Sequence, residues 1–180
     1  FIAISIPSDL TQIIADIQNE LKNNSDARVN WTRPHQSHLT LKFLGDVNKK
    51  EIQNVSTCLE ETTSEFSPLQ LRITSTGGFP NMRNPRVIWL GVDGGDKLIK
   101  LHNRVDRHVS TLGFDQEKNR YRPHLTLGRI KRLDEGSNMM KDLLSIIIPQ
   151  FEWIAAEICL ISSHLTPTGA IYKTLSKSSF

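Results

Sequence analysis

The sequence predicts an α+β protein built from two similar lobes. Two observations carry this expectation. Strand-like and helix-like segments alternate along all 180 residues, and the tetrapeptide His-Leu-Thr-Leu occurs twice, at 38–41 and 124–127. Ordinary residue frequencies make a second copy of a given tetrapeptide a matter of about one chain in several hundred. The copies lie 86 residues apart (124 − 38), about half the chain, and each is followed by a helix pattern and then a strand pair. That period is too long, and two copies too few, for a solenoid. The alternative is a single antiparallel sheet in which the tetrapeptide merely repeats a good strand sequence.

The elements follow in order. "FIAISI" reads as a strand, and Pro7-Ser8 opens a helix with Leu10, Ile13, Ile14, Ile17 and Leu21 on one face. Strands are expected over 29–31 and 38–44, separated by the polar loop Pro34-His35-Gln36. "NKKE" at 48–51 resembles a capping box for a helix carrying Ile52, Val55 and Leu59, which must end before Pro68. Strand-like runs over 69–76 and 86–92 flank the turn-rich "GGFPNMRNP". A third helix carries Leu98, Leu101, Val105, Val109 and Leu112, with Gly113 placed to end it. After the strand from His124 come a helix around Met140, Leu143, Leu144 and Ile147 and two closing strands, over 153–165 and 170–175. No long linker divides the chain, so one domain over 1–180 is expected.

Composition excludes little but orders the alternatives. With 38% hydrophobic and 23% charged residues the chain is ordinary globular material, and no apolar run approaches the roughly 20 residues of a membrane helix. "FIAISIP" is too short for a signal peptide, so a cytoplasmic protein without a membrane partner is expected. Cys58 and Cys159 lack the paired spacing of a zinc or redox site and read as buried free thiols. A net charge of +3 and a pI near 9.0 permit a polyanionic partner without demanding one.

Strand geometry turns the repeat into chemistry. Side chains alternate faces, so His38 and Thr40 point one way while Leu39, Leu41 and Phe43 point into a core, and His124 and Thr126 repeat the arrangement against Leu125 and Leu127. Two imidazoles and two hydroxyls then line one groove. A lone histidine on a strand is usually just solvated; two in identical context are not so easily dismissed. Metal binding, the rival use of paired histidines, wants three or four His, Cys or carboxylate ligands, and no carboxylate flanks either motif. No metal and no cofactor are expected.

The chain resembles the two-histidine phosphoesterases, and within them the RNA 2′,3′-cyclic phosphodiesterases, or 2′-5′ RNA ligases. The resemblance rests on "FIAISIP", "SHLTLKFLGDV", the "GGFP" loop, "PRVIWLGV", "RPHLTLGR" and "LTPTGAIY", and spans nearly the whole chain. It implies a bilobal fold of antiparallel sheets with a pseudo-twofold axis, helices outside and a central groove. It also implies one His-x-Thr motif per lobe, no metal, and RNA ends or nucleotides with a 2′,3′-cyclic phosphate as partners of a monomer. In that family the first histidine is the general acid and the second the base, here His38 and His124, and an arginine five positions after the second matches Arg129.

Cyclic phosphate opening suits these residue types independently. It needs a base for the water, an acid for the departing ribose oxygen and donors for the phosphoryl oxygens, here Thr40 and Thr126. Strict alternation puts Arg129 on the face opposite His124, so its role requires the strand to end, twist or bulge after Leu127, which Gly128 would favour, or the arginine to reach around the strand edge. Lys42 lies on the His38 face as a phosphate contact or a solvated charge. Tyr121 and Phe79 are candidates for stacking a base, or for ordinary packing. A third His-Leu-Thr at 164–166 runs straight into Pro167 and reads as a strand end, while His102 and His108 fall on a solvated helix face. The runner-up function is a non-catalytic module binding a nucleotide or RNA end.

Overall fold

The computed structural model describes residues 1–180 except 25, 26, 135, 136 and 168, and the side chain of residue 24. Among the described residues nine strands form two antiparallel sheets, as expected. The strands β1 (Ile2–Ser5), β3 (His38–Lys42), β8 (Glu157–Thr166) and β9 (Gly169–Ser179) make a four-stranded sheet in the order β3-β1-β8-β9. The other five, β2 (Arg28–Trp31), β4 (Leu69–Phe79), β5 (Val87–Asp93), β6 (His124–Arg132) and β7 (Glu152–Ala155), are ordered β2-β6-β5-β4-β7. Helices α2 (Lys49–Thr63) and α3 (Gly95–Ser110) pack against the first sheet, and α4 (Met139–Ser145) against β4 of the second, with α1 (Ser8–Asn24) beside α4. Each sheet thus presents one motif strand, and the two motif strands, β3 and β6, lie against each other between the lobes.

The lobes are interleaved rather than successive. The expected strand over 153–165 divides at Ala156, with β7 closing one sheet and β8 entering the other. Burial explains the break. Trp153 and Ala155 enter the main core from odd positions, whereas Ile158 and Leu160 enter it from even ones and Cys159 and Ile161 pack into a separate small cluster, so the chain cannot keep both core sets together while remaining in one sheet. The capping box at Asn48 forms as read, its side chain accepting from the Lys50 and Glu51 amides. Both cysteines are buried and free. No helix among the described residues is long and apolar enough to cross a membrane.

Both motif strands depart from strict alternation at the same place. In the β1–β3 ladder Ala3 faces Thr40 and Ile2 faces Lys42, leaving Leu41 as an extra residue. In the β5–β6 ladder Trp89 faces Thr126 and Ile88 faces Gly128, leaving Leu127 extra. A one-residue bulge inverts the facing of everything beyond it. Two expectations change accordingly. Phe43, expected in the core, emerges on the His38 face with 62% of its surface exposed. Lys42, expected on the His38 face, turns to the inner side and is only 3% exposed.

Candidate active site

The bulge in β6 brings Arg129 to His124. Arg129 faces Val87, two residues along β5 from Trp89, which faces Thr126, so all four share one side of the sheet. The extra residue is held by its carbonyl: Leu127 O accepts from the Thr32 amide at 3.0 Å and from Gln18 Nε2 at 2.8 Å, and Gln18, reaching in from α1, is 1% exposed. Gly128 allows β2 to approach, since a Cβ there would lie 2.6 Å from Val29 Cγ1 and 3.3 Å from Asn30 O. The glycine is required by close packing between strands, not by its backbone angles.

Each motif histidine is oriented in the same way. His38 Nδ1 lies 2.9 Å from Gln36 O, and His124 Nδ1 lies 2.7 Å from Arg122 O. A carbonyl only accepts, so Nδ1 carries the proton in both rings and Nε2 remains for chemistry. Neither Nε2 nor the hydroxyls of Thr40 and Thr126 has a hydrogen-bond partner among the described residues. Aromatic rings set the imidazole planes. Phe1 stacks on His38 at 4.6 Å with Tyr172 edge-on at 5.3 Å, while Phe79 meets His124 edge-on at 4.9 Å.

Both histidines titrate below the ordinary value of 6.5. Burial disfavours the charged ring in each case and dominates, although the backbone carbonyl opposes it. Arg129 depresses His124 further, and His124 itself contributes to the lowering of His38, as expected of rings sharing one groove.

A cleft of about 540 Å³ opens beside the pair, lined by Thr40, Phe43, Phe79, Pro80, Tyr121 and His124 among others. Phe79 therefore stands where a base could reach it. Tyr121 is differently engaged. Its hydroxyl donates to Thr40 O at 2.9 Å, its ring stacks on His102 at 3.9 Å, and burial raises its pKa well above that of a free phenol. Lys42 is neither a phosphate contact nor a solvated charge here: its ammonium donates to Asp106 Oδ1 and to Asp115 O, both at 2.5 Å. The expectation for His102 and His108 also changes. His102 is buried under Tyr121, and His108 Nδ1 lies 2.7 Å from Thr62 Oγ1, because α3 is covered on two flanks rather than one. His164 is exposed near the end of β8, on the face opposite that of Thr40.

Two antiparallel lobes, each offering one histidine with a free Nε2 and one free threonine hydroxyl to a shared groove, define a protein with a duplicated histidine–threonine site. The sequence matches the 2′-5′ RNA ligase superfamily over residues 6–167, and the chain belongs to that family. It is 33% identical over 175 residues to the RNA 2′,3′-cyclic phosphodiesterase of Methanothermobacter thermautotrophicus, covering 96% of this chain and 93% of that protein. The protein of the same name from Archaeoglobus fulgidus is 32% identical over 97% of this chain and 96% of its own. Among solved structures, TT0787 of Thermus thermophilus superposes with a TM-score of 0.86 at 24% identity, covering 99% of this chain and 96% of that one. E. coli LigT complexed with 3′-AMP gives 0.76 at 23%, covering 99% and 95%. These two likenesses establish the fold.

Proposed function

We propose that this protein hydrolyses 2′,3′-cyclic phosphate ends of RNA or nucleotides to 2′-phosphates without a metal ion, and that 2′-5′ ligation is its reverse reaction. The observation that carries the reading is the matched orientation of the two rings, each with Nδ1–H bound to the carbonyl two residues upstream and Nε2 free. The names borne by relatives at 32–33% identity over nearly the whole chain point to the same chemistry.

In this mechanism neutral His124 accepts a proton from water at Nε2 as the water oxygen bonds to phosphorus. The P–O3′ bond breaks on the opposite side, and protonated His38 gives its Nε2 proton to O3′, leaving the phosphate on O2′. Thr40 and Thr126 donate to the non-bridging oxygens, and Arg129 adds charge where negative charge accumulates. The proton count closes, since one histidine gains what the other loses. The pair is reset by exchange with solvent or by the reverse reaction.

The direct test is to incubate the protein with cytidine 2′,3′-cyclic phosphate and resolve the products by phosphorus NMR. Cytidine 2′-phosphate is the expected product, whereas unchanged substrate or the 3′-isomer contradicts the proposal.

A further inference from the structure

The segment 115–122, "DQEKNRYR", has no regular structure yet is fastened at three points to the four-stranded lobe. Asp115 O accepts from Lys42 on β3, the Glu117 amide donates to Asp106 on α3 at 3.1 Å, and Tyr121 reaches Thr40 O on β3. At Pro123, whose carbonyl accepts from the Val92 amide at 3.1 Å, the chain passes into the other lobe. The segment is therefore a strap along one wall of the cleft. Asn119, Arg120 and Arg122 on it line the cleft next to His124.

Its charges are sorted. Glu117 turns toward Lys42, with Oε1 3.9 Å from the ammonium, while Lys118, Arg120 and Arg122 are exposed. No carboxylate pairs with these three among the described residues. Unpaired guanidinium groups on an anchored segment are preorganised for phosphate.

We propose that this strap binds the phosphodiester backbone of the RNA strand immediately 5′ to the cyclic end, and that Lys42 and Asp106 are positioning residues that hold it there. The inference rests on the function proposed above: once the cyclic phosphate occupies the histidine pair, the preceding phosphates of the same strand pass beside His124. It makes an oligoribonucleotide, rather than a mononucleotide, the preferred substrate.

The test compares cytidine 2′,3′-cyclic phosphate with an eight-residue oligoribonucleotide carrying the same end. Arg120→Ala/Arg122→Ala should raise KM for the oligomer by about 10-fold or more, with a much smaller change for the mononucleotide and kcat within a few-fold on both. Each phosphate contact on a single strand contributes about 0.7 to the slope of log affinity against log salt, so the oligomer slope should fall by about 1.4. Arg120→Lys/Arg122→Lys should recover most of the oligomer KM, and Lys100→Ala, on the exposed face of α3, should alter neither substrate. Equal KM changes on both substrates, or no change on the oligomer, would overturn the strap. Fluorescence anisotropy with a labelled oligomer ending in a 2′-phosphate reads the same surface without turnover, so wild-type inactivity on both substrates counts against the proposed reaction while the strap is still decided.

Discussion

Phe43 and Arg129 occupy equivalent places in the two lobes. Each is the fifth residue after its motif histidine, and each is turned onto the histidine face by a bulge at the leucine following the motif threonine. One lobe therefore presents an exposed ring and the other a cation to the same groove. The two halves of the site are alike in their histidines and threonines and unlike beyond them.

Removing that cation should change activity in a defined direction. Arg129 helps hold the His124 pKa down, so Arg129→Ala should raise it. A base with a higher pKa is protonated over more of the acid range, and the acid limb of the kcat/KM profile should move to higher pH as turnover falls. A lower kcat/KM with an unmoved acid limb would mean that Arg129 acts on the substrate alone.

The carbonyl of Leu127 offers a stability test. Gln18 is buried and donates to both Leu127 O and Thr32 O, so Gln18→Ala withdraws two hydrogen bonds from the backbone, one of them fully buried. A loss of about 1–3 kcal/mol is expected, read as a lower denaturant midpoint with an unchanged slope. The same variant should reproduce part of the Arg129→Ala phenotype, because the bulge is what turns Arg129.

The sequence disclosed the duplicated motif, and with it the two lobes and the four polar groups of the site, because alternation is strict through His38-Leu39-Thr40 and His124-Leu125-Thr126. It did not disclose the bulge in β3, and it raised the one in β6 only as a condition on the role of Arg129. An extra residue leaves no mark in composition when both it and its neighbour tolerate burial, as Leu127 and Gly128 do. Lys42 turns inward for the same reason, and nothing local shows that Asp106, 64 residues on, comes to meet it. The division at Ala156 was not legible, since Ile158, Cys159, Leu160 and Ile161 are all apolar and carry no alternation that marks the change of sheet. Nor was the strap, for each of its anchors pairs a side chain with a backbone group, which no residue pattern records.

The pH profile of kcat/KM should be bell-shaped, with both limbs histidine-like. Both rings titrate below 6.5 in the free protein, so the optimum should lie below 6.5 as well. A bound phosphodiester anion favours the protonated ring, and the kcat profile should therefore sit at higher pH than that of kcat/KM. Stability follows the same shifts. Below 6.5 the unfolded chain takes up protons that the folded rings refuse, so the melting temperature should fall as pH drops toward the lowered folded values. His38→Gln/His124→Gln should flatten that dependence; a wild-type optimum above about 7 would contradict the burial of these rings.

Metal dependence separates the proposed chemistry from the commonest alternative. Activity should persist after exhaustive chelation, because in the proposed mechanism the imidazoles perform the proton transfers that a metal-bound water would otherwise assist. Loss in chelator that zinc or manganese restores would replace this mechanism with another.

In the proposed mechanism His38 and His124 divide the labour as acid and base, and leaving-group rescue tests that division most directly. On a cyclic nucleotide, His38→Ala and His124→Ala should each lower kcat by about 10²–10⁴-fold, while His164→Ala, exposed on the other face of β8, should do little. A nitrophenyl phosphodiester needs almost no protonation of its departing oxygen. On that substrate His38→Ala should recover much of its activity and His124→Ala should remain inactive, whereas rescue of His124→Ala in place of His38→Ala would contradict the assignment.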